Sequence, residues 1–276
     1  MKIMVIGANG SLGSEICSQL SKKEVHVIPV TRNELDVTVK INLLKSFIIN
    51  YQPDVIINCV AYLGLESCKE NIEQALEINA FFPNKLFSIC KNNNIKLIQI
   101  STDSVFACDD IKIHNYENDK PNPNTAYGLT KTLGECFFSE NFYLVRLPLL
   151  FGASNKGQII SKLITSAIQN NKIKVSNDIY NTPVYTPYAA SWIINQVTSN
   201  FLDFPDIVHL NSSERISMYD FIIKVLSIYN KENNVVSVNS DYFPSSELKP
   251  KYGGLSSQYF DGFDLDEMII SYSKII

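Results

Sequence analysis

Thr102, Tyr127 and Lys131 are residues whose types and spacing fit one chemical task. Tyr127 and Lys131 stand four apart in Tyr-Gly-Leu-Thr-Lys, so on a helix they share a face about one turn apart. A neighbouring ammonium lowers a phenol's pKa from its ordinary ~10. Such a phenol can protonate a carbonyl oxygen as hydride reaches the carbon. Thr102, in Ser101-Thr102-Asp103 at the end of an apolar run, offers a hydroxyl to hold the same oxygen. The set needs a hydride source, and the N-terminus carries a site for one.

Lys2 to Ile6 is a short apolar run, followed by Gly7-Ala-Asn9-Gly10-Ser11-Leu12-Gly13 and then a helical pattern of Leu12, Ile16 and Leu20. Strand, glycine-rich turn and helix together are the context of dinucleotide binding. Gly7 permits the turn, Gly10 lets backbone amides approach a pyrophosphate at the positive helix end, and Gly13 allows close helix packing. The second strand ends in Pro29-Val30-Thr31-Arg32 with no acid to bind a ribose 2′-hydroxyl. Arg32 suits a 2′-phosphate instead. NADP (as NADPH) is therefore the expected cofactor and NAD the second candidate. Asp36 is placed to reach the adenine.

The bulk properties narrow the setting. The chain has 276 residues, 45% of them hydrophobic, and a net charge of −4. A substantial core is affordable, and no basic footprint argues for nucleic acid. No apolar run reaches the ~18 residues of a membrane span, and a signal peptide is not expected, so the cytoplasm is the default location. The six cysteines (17, 59, 68, 90, 108 and 136) form no C-x-x-C pair. They read as free thiols without metal spacing, in a reducing compartment. The three histidines (26, 114 and 209) are far apart and read as structural or surface groups.

Apolar runs alternate with helical patterns through the first half. Strands are expected at 2–6, 25–30, 54–59, 95–101 and 142–147, with helices near 11–22, 40–50, 70–92 and 125–139. This alternation predicts an α/β fold, a doubly wound parallel sheet of Rossmann type with ligands at the carboxyl ends of its strands. Segment 104–124 reads as a loop, with Asn124 or Thr125 capping the following helix. The dinucleotide-binding domain is expected over 1–150. A smaller substrate-binding lobe is expected over 151–276, with helices near 158–170, 187–199 and 217–230. One strand, near 207–210, returns to the main sheet.

These segments resemble the extended short-chain dehydrogenase/reductase superfamily, and most closely the dTDP-4-dehydrorhamnose reductase family. The resemblance runs from Met1 to about Ala190, with a fainter echo at Glu247 to Gln258. It rests on Gly7 to Gly13, Arg32-Asn-Glu-Leu-Asp-Val37, Pro53-Asp-Val-Ile-Ile-Asn58, Ile78-Asn79-Ala80, Ser101-Thr-Asp103 with Val105-Phe106, and Tyr127 to Lys131 with Gly134-Glu135. The resemblance implies reduction of the 4-keto group of a nucleotide-linked 6-deoxysugar in polysaccharide biosynthesis. Asn9, Gly10, Ser11 and Leu12 would hold the pyrophosphate and Asp36 with Val37 the adenosine. Val60, Ala61 and Tyr62, supported by Asn79, would line the nicotinamide side. Tyr127 would donate the proton, Lys131 would hold the nicotinamide ribose, and Thr102 with Asp103 would meet the sugar.

Three positions depart from that family. Ser104 stands where a tyrosine is common, Leu149 where a tryptophan is common, and Lys249 where an arginine precedes proline. All three are expected at the substrate, so the departures bear on which sugar is bound. A dehydratase would need a glutamate at position 104. Epimerisation would need a further acid/base pair, for which Cys108 and His114 are the nearby groups. The other alternative is a non-catalytic NADP-binding subunit resembling the regulatory subunit of methionine adenosyltransferase. Helices 70–92 and 125–139 are candidates to pair across a two-fold axis in a homodimer.

Overall fold

The structure is a computed structural model and describes residues 1–107, 110, 114–135, 141–152, 159–199, 201, 205–244 and 250–275. The first half is a strand–helix alternation: β1 (Lys2–Ile6), α1 (Ser11–Leu20), β2 (His26–Val30), α2 (Ile41–Tyr51) and β3 (Val55–Asn58). There follow α3 (Leu65–Glu70), α4 (Ile72–Leu76), a π-helical turn at Glu77–Phe81, α5 (Phe82–Asn92), β4 (Lys96–Thr102), α6 (Ala126–Leu133) and β5 (Phe142–Leu147). In the second half come β6 (Leu150–Phe151), α7 (Ile159–Ile168), β7 (Ile173–Ser176), β8 (Tyr180–Asn181), β9 (Val184–Tyr185) and α8 (Thr186–Thr198). The chain then runs through β10 (Ile207–His209), β11 (Ile216–Ser217), α9 (Met218–Ser227), β12 (Val235–Val238) and α10 (Leu265–Ser273).

The main sheet has six parallel strands in the order β10-β5-β4-β3-β1-β2. Its order reverses between β1 and β3, and in open α/β sheets the crevice at that point receives the ligand. Both faces are apolar because the alternating side chains of β1 enter different cores. Ile3 and Val5 join Leu12 and Ile16 of α1 and Ile193 of α8. Met4 and Ile6 join Leu44 of α2 and Phe82 and Leu86 of α5. Pro29, which lacks an N–H, lies in the edge strand β2, where the outer side needs no partner.

β10 pairs with β5 as the sixth strand, from Ile207↔Leu144 to His209↔Arg146. The core under α1 also takes in Phe151, Phe221, Leu265 and Met268, so both halves of the chain share it. The remaining strands form three two-stranded pairs: β6 with β9, β8 with β11 and β7 with β12.

Two expected helices differ. The span 70–92 is chiefly two helices, α4 and α5, joined by the π-helical turn, and 125–139 closes at Leu133, with Gly134 as its cap. Residues 136–139 of that span lie outside the described residues. Among the described residues, no helix is long and apolar enough to cross a membrane.

Candidate active site

The glycine turn is a cradle that a side chain would fill. Gly7 has φ +86°, and a Cβ there would lie 3.1 Å from both Cys59 C and Val60 N at the end of β3. At Gly13 it would lie 2.2 Å from Gly7 O. The first intrahelical bond of α1 runs from Ser14 N–H to Gly10 O at 2.9 Å, and Gly10 supplies no side-chain cap. The preceding amides form the anion-attracting end of the helix. This geometry fits a dinucleotide pyrophosphate. Asn9 is exposed beside it.

The adenosine end is more mixed. Arg32 is exposed just past β2 and faces Asp36 electrostatically. The Thr38 amide and hydroxyl donate to Asp36 Oδ1 at 2.9 and 2.8 Å, holding its carboxyl below the usual range. Val37 is half-buried against the core under α2. Glu34 folds back to accept from the Thr31 amide and hydroxyl at 2.8 and 2.6 Å. An acid therefore does reach the end of β2, from position 34.

A buried polar row runs from the cofactor loop to Lys131. Asn58 accepts from Val60 N–H at 3.1 Å and donates to Gln99 Oε1 at 2.8 Å. Gln99 Nε2 and Lys131 Nζ both donate to Ile100 O, each at 2.8 Å. Asn79, in the π-helical turn, is fully buried. It accepts from Tyr62 N–H at 2.8 Å and donates to Tyr62 O and Thr130 Oγ1, both at 3.0 Å. Its amide is thus committed within the protein. Asn79 fixes the Ala61–Tyr62 loop and reaches a cofactor only through it. Single wide turns of this kind concentrate at functional sites.

Two glycines bring α6 into place. Thr125 caps α6, accepting from Gly128 N–H at 3.0 Å. A Cβ on Gly128 would lie 2.1 Å from Ser104 O, and one on Gly134 2.1 Å from Asn79 O. The close approach brings the Tyr127 phenol near the Thr102 hydroxyl, which acts against the rise of its pKa. Thr102 Oγ1 accepts from Ser104 N–H at 3.2 Å and lies 3.1 Å from Asp103 Oδ1. Ser104 Oγ stands 3.3 Å from Thr102 Oγ1. Thr102, Tyr127 and Lys131 are therefore gathered where β4 ends and α6 begins.

The electrostatics correct one expectation. Lys131 does not lower the Tyr127 phenol. Burial pushes that phenol above its ordinary value, opposed by the nearby Thr102 hydroxyl and reinforced by Asp103 and Cys68. The Lys131 ammonium faces Ile100 O, and burial pulls its pKa down to about 8 against the attraction of Glu135 and Cys59. At neutral pH the phenol is therefore a protonated donor. Asp103 is likewise pushed upward by burial, although four hydrogen-bond partners oppose the shift.

Asp103 joins the two halves of the chain. Asn181 Nδ2 and Gly254 N–H donate to its Oδ2 at 2.8 and 3.1 Å. Asn181 Oδ1 in turn accepts from Leu149 N–H at 3.0 Å. The Leu149 side chain packs on the main core, which explains how an aliphatic residue is accommodated there. Lys249 lies outside the described residues.

Beyond Lys131, α6 is tied to the sheet by a buried pair. Arg146 of β5 donates through Nη2 to Glu135 Oε2 at 2.8 Å and through Nε to both carboxylate oxygens. Arg146 Nη1 lies 3.1 Å from His209 Nε2, and His209 Nδ1 lies 3.0 and 2.9 Å from the Asn115 and Ser256 carbonyls. A guanidinium only donates and a carbonyl only accepts, so Nε2 accepts and Nδ1 carries the hydrogen. Burial and Arg146 hold this imidazole neutral, with its pKa down to about 4. The histidine read as structural or surface is the structural one.

Gln99, Asn181, Glu117, Arg146 and His209 were not among the expected site residues. A glutamine amid Leu-Ile-x-Ile and an arginine inside Leu-Val-x-Leu were readable signals, since a polar residue in a central strand needs a partner. Asn181 and Glu117 carried no local signal.

A dinucleotide cradle at the sheet's switch point and a Thr–Tyr–Lys corner beside it define an extended short-chain dehydrogenase/reductase. A family model, the RmlD substrate binding domain, matches residues 1–264. The chain belongs to that family. Among its relatives is the Bacillus subtilis spore coat polysaccharide biosynthesis protein SpsK, 26% identical over 92% of this chain and 89% of that protein. The dTDP-4-dehydrorhamnose reductase of Mycolicibacterium smegmatis is 27% identical over 93% of this chain and 78% of its own. The crystal structure of a dTDP-4-dehydrorhamnose reductase from Clostridium acetobutylicum superposes with a TM-score of 0.91 at 29% identity, covering 100% of this chain and 99% of the other.

Proposed function

We propose that this chain reduces the 4-keto group of a nucleotide-linked 6-deoxysugar with NAD(P)H. The observation that carries this reading is the convergence of the Tyr127 phenol and the Thr102 hydroxyl beside the glycine cradle. A nicotinamide dinucleotide, when bound, supplies the hydride. Gly7 to Gly13 would hold its pyrophosphate, and Val60 to Tyr62 would line its reactive end. Thr102 orients the keto oxygen, and Tyr127 gives that oxygen its proton as negative charge develops. Lys131, anchored on Ile100 O, places a cation beneath the site. Residues 151–276 form the sugar-nucleotide lobe, reaching the site through Asp103.

Arg32 supports NADP as the preferred dinucleotide, while Glu34 beside it tempers that preference. The exposed Leu129 and Leu133 of α6, Ile72 of α4 and Phe81 support a homodimer through this face, checked by light scattering. Cysteines 17, 59 and 90 are free thiols, in keeping with a cytoplasmic enzyme.

The test is NADPH absorbance on adding a dTDP-4-keto-6-deoxysugar. A fall in absorbance that yields the 4-hydroxy sugar supports the reading. No turnover with any keto sugar, together with capture of a methionine adenosyltransferase, would replace it with a binding role.

A further inference from the structure

The segment Tyr252–Gln258 lies across the C-terminal side of the active site as a strap. At one end Gly254 N–H meets Asp103 Oδ2 at 3.1 Å, one residue from the catalytic Thr102. Leu255 is fully buried against Val105 and Phe106, and its amide donates to Thr182 Oγ1 at 2.9 Å. At the other end Glu117 accepts from Ser257 Oγ at 2.6 Å and from Gln258 N–H at 3.0 Å.

His209 sits where the strap meets the loop that leads into α6. Its Nδ1–H is shared by Ser256 O of the strap and Asn115 O of the loop. Its own amide donates to Glu117 Oε1 at 3.0 Å. Its Nε2 accepts from Arg146, which holds Glu135 at the end of the catalytic helix. One side chain thus touches both the strap and the loop that leads into α6.

We infer that His209 is a positioning residue for the nucleotide sugar: its Nδ1–H clamps the strap and the Asn115–Glu117 loop together beside Asp103, setting affinity for the sugar nucleotide rather than the rate of proton transfer. The inference rests on the keto-sugar reductase reading. Gly253 and Gly254 lie against Asp103, beside the Thr102–Tyr127 corner where the sugar would be held. Their position depends on bonds at both ends of the strap. A hydrogen bond that is shared between two carbonyls and buried is replaced poorly when its donor is lost.

Two substitutions separate the two ring nitrogens. His209→Gln keeps an acceptor for Arg146 near the Nε2 position and loses the Nδ1 donor. His209→Asn keeps a donor near the Nδ1 position and loses the acceptor. With NADPH and a dTDP-4-keto-6-deoxysugar, His209→Gln is expected to raise the sugar KM about tenfold, the scale of one hydrogen bond. Its kcat and NADPH KM should stay within about twofold of wild type, and His209→Asn should recover most of the sugar KM. Titration calorimetry with dTDP should show the same order of affinities without turnover.

Should His209→Gln prove unfolded, Glu117→Gln tests the same strap from its other anchor and is expected to raise the same KM. Active wild type with an unchanged sugar KM in the Gln variants overturns the inference alone. Equal losses in kcat and in both KM values, without recovery in His209→Asn, also overturn it. Wild type that neither binds dTDP nor reduces the sugar overturns the functional reading itself, and the inference with it.

Discussion

The Cβ position of Gly128 lies 2.1 Å from the carbonyl oxygen of Ser104. No side chain fits there, so the glycine after Tyr127 is a spacing device that lets α6 rest on the turn bearing Thr102. Gly128→Ala must push the two apart. It is expected to destabilise the protein by about 1–3 kcal/mol, the range for overpacking a tight contact. The rate should fall by roughly a hundredfold through displacement of the phenol. Thermal unfolding and initial rates measured together check both effects, and a fully active variant would contradict the close approach.

Tyr127→Phe keeps the ring and removes the proton. Turnover is expected to fall by roughly 10²–10⁴, the usual contribution of a positioned acid. Dinucleotide affinity should be nearly unchanged, because the cradle lies in Gly7 to Gly13. Stopped-flow rates and a fluorescence titration with NADPH make the comparison. Near-normal turnover would mean that another group donates.

Lys131 predicts a pH signature of opposite sign in activity and in stability. Its folded pKa of about 8 lies below its ordinary 10.5, so the unfolded chain binds more protons between those values. Stability therefore rises with pH across that window, as the buried charge is lost. Activity should instead fall above about pH 8, as the ammonium disappears. Denaturation of wild type against Lys131→Met at pH 7.5 to 10.5 isolates the stability slope, and a flat difference would refute it.

Arg32→Ala should weaken NADPH about tenfold more than NADH, the scale of one charge-assisted hydrogen bond. Equal effects on the two dinucleotides, measured by fluorescence titration, would remove the argument for a 2′-phosphate partner. Glu34→Gln, which removes the neighbouring negative charge, should move the ratio further towards NADPH.

The first half of the fold was legible because its strands are apolar runs and its turns are marked by glycine or a cap. The Gly7 cradle and the Thr102–Tyr127–Lys131 corner were legible for the same reason: each motif is local, and the fold only aligns them. The helix over 70–92 was not, since its breaks serve distant partners. Asn79 bonds Tyr62 and Thr130, and Gly134 packs on Asn79 O. The Lys131 effect on Tyr127 was misread because helix spacing does not reveal the pull of Ile100 O. Helix α10 went unseen although its signal was present. Asp264 accepts from Glu267 N–H at 2.8 Å, and Leu265, Met268, Ile269 and Tyr272 line one buried face. Asn181, Glu117 and His209 act across more than sixty residues of sequence, which no local pattern records.

The wide turn at Glu77–Phe81 holds one residue more than a regular helix would need there. That surplus lets Phe82 and Leu86 face the sheet while Asn79 faces the loop at Tyr62. Deleting a single residue from the turn would restore an ordinary helix and rotate Asn79 by about 100° relative to α5. Asn79 would lose its bonds to the Tyr62 backbone and to Thr130, so a change of one residue in length would release the loop that follows β3.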